Sequence, residues 1–205
     1  MHLLNAAKAP IGGDEAVDLG QSPGDILVLS AADSELAGLA AARARLGPDF
    51  PSVRLTNLAR LAHPLSVDLY VERTVRKARL VVLRLLGGRG YWSYALEQIA
   101  ETCRAHGILV AALPGDDRPD PELDGWSTLG PAARARLWRY LIEGGIDNAQ
   151  GFLGYAASLL GRTGEPPEPV ALPRAGFYLH GHGPVPTLDA PEADRTAGER
   201  PTAAV

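Results

Sequence analysis

Residues 80–114 read LVVLRLLGGRGYWSYALEQIAETCRAHGILVAALP. Leu80 to Leu86 is rich in leucine and valine, which predicts a buried, central β-strand. A glycine pair, Gly87 and Gly88, ends the run, and Arg89, Gly90, Tyr91 and Trp92 follow. From Ser93 to His106, Leu96, Ile99, Ala100 and Cys103 share one face of an amphipathic helix. Gly107 suits the position just past a helix end, where the backbone turns left-handed. Ile108 to Pro114 then reads as a further buried strand.

The same alternation runs upstream. Asp25 to Ser30, DILVLS, predicts a buried strand after the turn Ser22-Pro23-Gly24. Leu36, Leu39, Ala40, Arg43 and Leu46 then follow helical spacing, with Asp33 or Ser34 as cap and Gly47-Pro48 as stop. Ser52 to Asn57 alternates apolar and polar residues and predicts a strand nearer an edge. His63-Pro64 breaks the pattern, and Ser66 opens another helix whose C-terminal dipole suits Arg76 and Lys77. Uninterrupted apolar strands separated by helices imply burial on both faces. The fold class is therefore α/β, a parallel layered sheet of flavodoxin-like or Rossmann-like type.

After Pro114 the character changes. Residues 115–125, GDDRPDPELDG, form an acidic loop punctuated by proline. Two helical patterns follow at about 131–160, one on Leu137, Tyr140 and Leu141, the other on Ala149, Phe152, Leu153, Ala156, Leu159 and Leu160. Gly144-Gly145 separates them, Asp147 or Asn148 caps the second, and Gly161 ends it. This adds a C-terminal helix hairpin to the α/β domain, which together span residues 1–160. An extended segment, 161–179, contains one last short strand at Ala175 to Leu179. Residues 180–205, rich in Pro, Gly, Ala and charge, are expected to be a disordered tail.

Composition narrows the function. The net charge is −4 and the pI is near 5.7, so neither nucleic acid nor an anionic membrane surface is an expected partner. A single cysteine, Cys103, excludes an internal disulfide framework. No basic, apolar leader opens the chain and no run reaches the length of a spanning helix. A cytoplasmic location is the expectation.

The glycine turn invites comparison with phosphate-binding loops. Gly88 and Gly90 begin a G-x-G, but Ser93 stands where the dinucleotide fingerprint wants a third small residue. A Walker loop is absent, since no Gly-Lys pair is followed by Ser or Thr. Glycines alone would let a buried strand turn sharply into a helix. The turn nevertheless lies at the carboxyl end of a central strand, where open α/β sheets bind ligands. Bare amides of Gly87 and Gly88, the cation of Arg89 and the rings of Tyr91 and Trp92 make it a candidate ligand site. Asp116 and Asp117 follow the neighbouring strand and complete the candidate set; a solvated turn before Pro119 and Pro121 is their simpler reading. His180-Gly181-His182 has metal-compatible spacing but no third ligand nearby, and Cys103 falls on an apolar helix face. No metal site and no catalytic residue is assigned.

Five stretches in order carry a resemblance: EAVDLGQSPGDILVLSAADSELAGLA, HPLSVDLYVERTV, LVVLRLLGGRGYW, LPGDDRPDPEL and LWRYLIEGGIDNAQGFLGYAASLL. Together they resemble the N-terminal region of the large subunit of aerobic cobaltochelatase, the CobN-type family, which is homologous to the magnesium chelatase large subunit. The resemblance covers roughly residues 1–178, including PRAGFY at Pro173 to Tyr178, and family members are several times longer, so the chain looks like a truncated large subunit or its first domain. It implies a subunit that binds the corrin hydrogenobyrinic acid a,c-diamide and Co(II) for cobalamin biosynthesis. It also implies partner subunits forming an ATPase ring, with ATP used by the complex and no cofactor bound by this chain. The full-length subunit would be a ligase forming nitrogen–metal bonds, and this piece alone is expected to be inactive: a wall of the macrocycle site or a docking surface. The alternative is a stand-alone flavodoxin-like ligand-binding or interaction module without catalysis.

Overall fold

A computed structural model describes residues 15–162, 164–171, 177–179 and 183–185. Four strands, β1 (Ile26–Ser30), β2 (Val53–Asn57), β3 (Leu80–Leu85) and β4 (Leu109–Pro114), form one parallel sheet in the order β2-β1-β3-β4. This is the flavodoxin-like order. The chain reverses its direction of winding between β1 and β3, so the topological switch point lies there.

Side-chain alternation builds two layers. Ile26, Val28, Leu80, Val82, Ala111 and Leu113 face one way, against α1 (Asp33–Ala44), α4 (Pro131–Glu143) and α5 (Gly145–Leu159). Leu27, Leu29, Val81, Leu83, Leu85, Val110 and Ala112 face the other way, against α2 (Pro64–Arg73) and α3 (Ser93–His106). Every residue of β1 and β3 is buried. At about 1.5–3 kcal/mol for each large apolar side chain, this double burial is the main stabilising term.

The helix hairpin is a structural face of the sheet, not an appendage. Gly144 alone joins α4 to α5, at φ 66°. At the crossing, a Cβ on Gly151 would stand 2.5 Å from the ring of Tyr140, so only glycine permits this approach. Both edges of the sheet are closed by side chains. Along β4, the hydroxyls of Thr128 and Ser127 accept from the amides of Val110 (2.8 Å) and Ala112 (3.0 Å). Along β2, Gln21 donates to the Leu55 carbonyl at 3.2 Å.

Several boundaries differ from the sequence expectation. Ala32, not Asp33 or Ser34, stands at the N-cap position of α1, which has no side-chain cap bond, while Asp33 accepts from Asn57 at 2.6 Å. His63-Pro64 does not precede a helix that opens at Ser66: His63 caps α2, its Nδ1 accepting from the Leu65 amide at 3.1 Å, and Pro64 takes the first helical position. Arg76 and Lys77 lie in a separate 3-10 turn after α2. Asn148 does not cap α5. Its amide donates to Val170 and accepts from it, at 2.8 and 2.9 Å, tying residues 164–170 to the hairpin.

The chain divides into two compact units, Met1–Val170 and Ala171–Val205. In the second, β5 (Phe177–Leu179) pairs antiparallel with β6 (Gly183–Val185). The first of these strands matches the expected one. The second falls where a tail was expected, and the rest of that tail, with His180 and His182, lies outside the described residues.

Candidate functional site

The glycine turn leaves β3 at the carboxyl end of the sheet, as its sequence implies. Gly87 and Gly88 both take left-handed backbone, φ 87° and 67°, and Arg89–Tyr91 form one 3-10 turn before α3. Two things call for glycine at position 88, its left-handed backbone and a neighbour. A Cβ there would stand 2.6 Å from Oδ2 of Asp120, so the loop after β4 crosses directly over the turn. The Asp120 carboxylate therefore occupies the space directly above the candidate ligand site at Gly88.

The candidate residues separate. Trp92 is 7% exposed and packs in the α2–α3 layer, where its indole donates to the Leu61 carbonyl at 3.3 Å. Its ring is an internal anchor for the start of α3 and offers no face at the rim. Tyr91 is 39% exposed and remains at the surface. Arg89 is exposed too, with Glu97 at 3.4 Å and the Trp126 ring centre 5.4 Å from its Cζ. Arg104 approaches the same ring at 5.8 Å, so two cations share one indole. The pair with Glu97 is solvated and weak, which leaves Arg89 able to meet another anion.

Asp116 and Asp117 are exposed. Asp116 forms a local turn, its carboxylate accepting from the Arg118 amide at 3.1 Å, while its carbonyl accepts from Trp138 of α4 at 3.1 Å. No three His, Cys, Asp or Glu side chains among the described residues come together as a metal-binding group. Cys103 is fully buried, and that burial pushes its thiol up to about 12.

Sequence reasoning missed the group at the switch point itself. Arg84, near the end of β3, is 5% exposed. Its Nε donates to Glu35 of α1 at 3.0 Å, and its Nη1 donates to the Pro114 carbonyl at the end of β4. The other oxygen of Glu35 is buried and finds no partner among the described residues. The ion pair thus braces three elements, β3, α1 and the end of β4. A charged residue inside an otherwise apolar strand was the available signal, since a buried cation requires a partner.

A shallow cavity of about 210 Å³ opens next to this bracing. Its floor is the end of β4, and its sides are the loop of residues 119–124 and α4. Asp120 lines it; no residue of the turn from Gly87 to Trp92 does.

Comparison with known proteins supports the resemblance read from the residues. The chain is 50% identical over 184 residues to the aerobic cobaltochelatase subunit CobN of Sinorhizobium sp, covering 89% of the chain. It is 42% identical over 207 residues to the subunit of the same name from Pseudomonas aeruginosa, covering all of it. It spans only 14% and 16% of those two relatives. Among solved structures, the catalytic subunit of cobaltochelatase from Mycobacterium tuberculosis superposes with a TM-score of 0.58 at 27% identity. That match covers 74% of this chain and 12% of the other. No family model matches. The chain is homologous to a portion of the cobaltochelatase large subunit.

Proposed function

We propose that this chain is a wall or docking piece of the large subunit of an ATP-dependent cobaltochelatase, which inserts Co(II) into hydrogenobyrinic acid a,c-diamide in cobalamin biosynthesis. The homology to two cobaltochelatase subunits, running through at least 89% of the chain, carries the reading. In the whole protein, partner subunits form the ATPase ring, and the reaction joins metal to nitrogen as a ligase does. Metal insertion needs an enclosed chamber, bases for two pyrrolic protons and ligands that deliver the cation. Beside the point where Asp120 crosses Gly88, Gly87, Arg89 and Tyr91 stay exposed, which suits a wall: Arg89 would meet a corrin carboxylate and Tyr91 would give flat contact. Trp92 would hold this rim in place from beneath.

Reconstitution tests the proposal. A large subunit lacking this region, given the ATPase subunits and this chain in trans, should regain cobalt uptake. Failure with a chain shown to be folded by circular dichroism would overturn it. The rim contact has its own test, a titration with the corrin diamide followed by quenching of tryptophan emission, in which Arg89→Ala should weaken binding.

The strand order also suits the stand-alone module, since flavodoxin-like sheets bind cofactors at the switch point. The buried Arg84–Glu35 pair sits on β3 opposite Ser30 at the end of β1, and a buried ion pair at that point counts against a planar cofactor there. Visible absorbance of the purified chain would reverse this preference.

A further inference from the structure

We infer that the cavity between the end of β4, the following loop and α4 is a docking groove for a polypeptide segment in which an apolar side chain is flanked by lysine or arginine. The inference stands apart from the chelatase reading. Its first support is the lining. Leu113, Pro119, Pro121, Pro131, Ala135 and Trp138 present a surface dominated by apolar carbon. Prolines at three of these six positions keep the walls stiff, so little ordering cost accompanies binding. The volume, about 210 Å³, suits one large side chain; a cavity of about 150 Å³ is enough for a benzene ring.

The second support is charge. Residues 115–125 carry Asp116, Asp117, Asp120, Glu122 and Asp124 against the single cation Arg118. Asp120 and Asp124 line the groove itself. The one cation in the lining, Arg134, pairs with Asp124, so the two cancel and the net charge of the lining is that of Asp120, with Asp116, Asp117 and Glu122 close along the same loop. The rim therefore attracts cations and repels acidic segments, while the floor rewards an apolar anchor. Docking through an inserted side chain is favoured over pairing as an added strand, because Ser127 and Thr128 already occupy the open edge of β4.

The test uses the full chain and two capped synthetic peptides, Lys-Lys-Phe-Lys-Lys and Glu-Glu-Phe-Glu-Glu. Trp138 lies in the groove wall, so tryptophan emission reports occupancy. The basic peptide should bind and shift the emission, and the acidic one should not. Ala135→Trp fills the groove from an exposed helix position and should weaken binding by about tenfold or more. Raising salt from about 0.05 to about 0.5 M should weaken binding to the unaltered chain as well. Equal binding by the Ala135→Trp variant would reduce the effect to diffuse charge and overturn the proposal. So would equal binding of both peptides, or no binding of either. Concentration-dependent self-association abolished by Ala135→Trp, seen in sedimentation, would assign the groove to a second copy instead and also overturn it.

Discussion

Arg84 carries the largest consequence of any single residue. It is buried, paired with Glu35 and bonded to the Pro114 carbonyl. Removing one member of such a pair leaves an uncompensated charge inside the protein. Arg84→Met should therefore cost about 3–5 kcal/mol, while Arg84→Met with Glu35→Leu should recover most of that loss; urea midpoints measure both. The presence of Arg84 is legible in the sequence, as the lone charge in LVVLRLL, but Glu35 lies 49 positions away and only the fold reveals it. Trp92 teaches the same lesson. A ring beside a glycine turn reads as available, and its inward orientation depends on the Leu61 carbonyl, which nothing local announces. Glycines can be ranked in the same way. A Cβ on Gly115 would meet the backbone of Leu86 at 2.4 Å, whereas one on Gly90 would meet nothing within 4 Å. Gly115→Ala should lower the thermal midpoint, and Gly90→Ala should leave it unchanged or raise it slightly.

At the scale of elements, periodicity was enough to place the four strands and five α-helices among the described residues of the first unit, because burial on one face or two leaves a direct trace in the residue pattern. Helix starts were harder. Several polar residues can cap, yet α1 has no side-chain cap bond, and Asp33 pairs with Asn57. The closure of the sheet edge was not legible either. Ser127 and Thr128 read as ordinary loop residues, yet their hydroxyls satisfy two amides of β4. Ser127→Ala combined with Thr128→Val leaves both amides without those acceptors. The loss should be about 1–3 kcal/mol for each group, with faster aggregation on mild heating, followed by light scattering.

For the whole molecule, the fold class was legible but the strand order was not, because short loops are compatible with more than one doubly wound arrangement. One consequence of the final arrangement is acid sensitivity. Asp25 and Ser52, just ahead of β1 and β2, bind each other through three contacts of 2.6 to 2.9 Å. The bonds from the Ser52 hydroxyl and then its amide, outweighing the opposing effect of burial, lower the Asp25 pKa from its ordinary 3.8. A lowered carboxylate pKa stabilises the fold above the unfolded value and ceases to do so as pH falls through the folded one. Ser52→Ala should thus cost about 1–2 kcal/mol at pH 7, and the gap from the unaltered chain should shrink below pH 3.8. Urea titrations at a series of pH values measure it.

The crossing of Asp120 over Gly88 has a meaning for descent as well as for shape. Position 88 is the constrained one: its left-handed backbone strains any side chain, and a methyl group there also makes the Asp120 carboxylate swing aside, whereas a smaller residue at 120 meets no such obstacle. In natural lineages the glycine should outlast the aspartate above it, a one-sided inheritance set by the backbone more than by the gap.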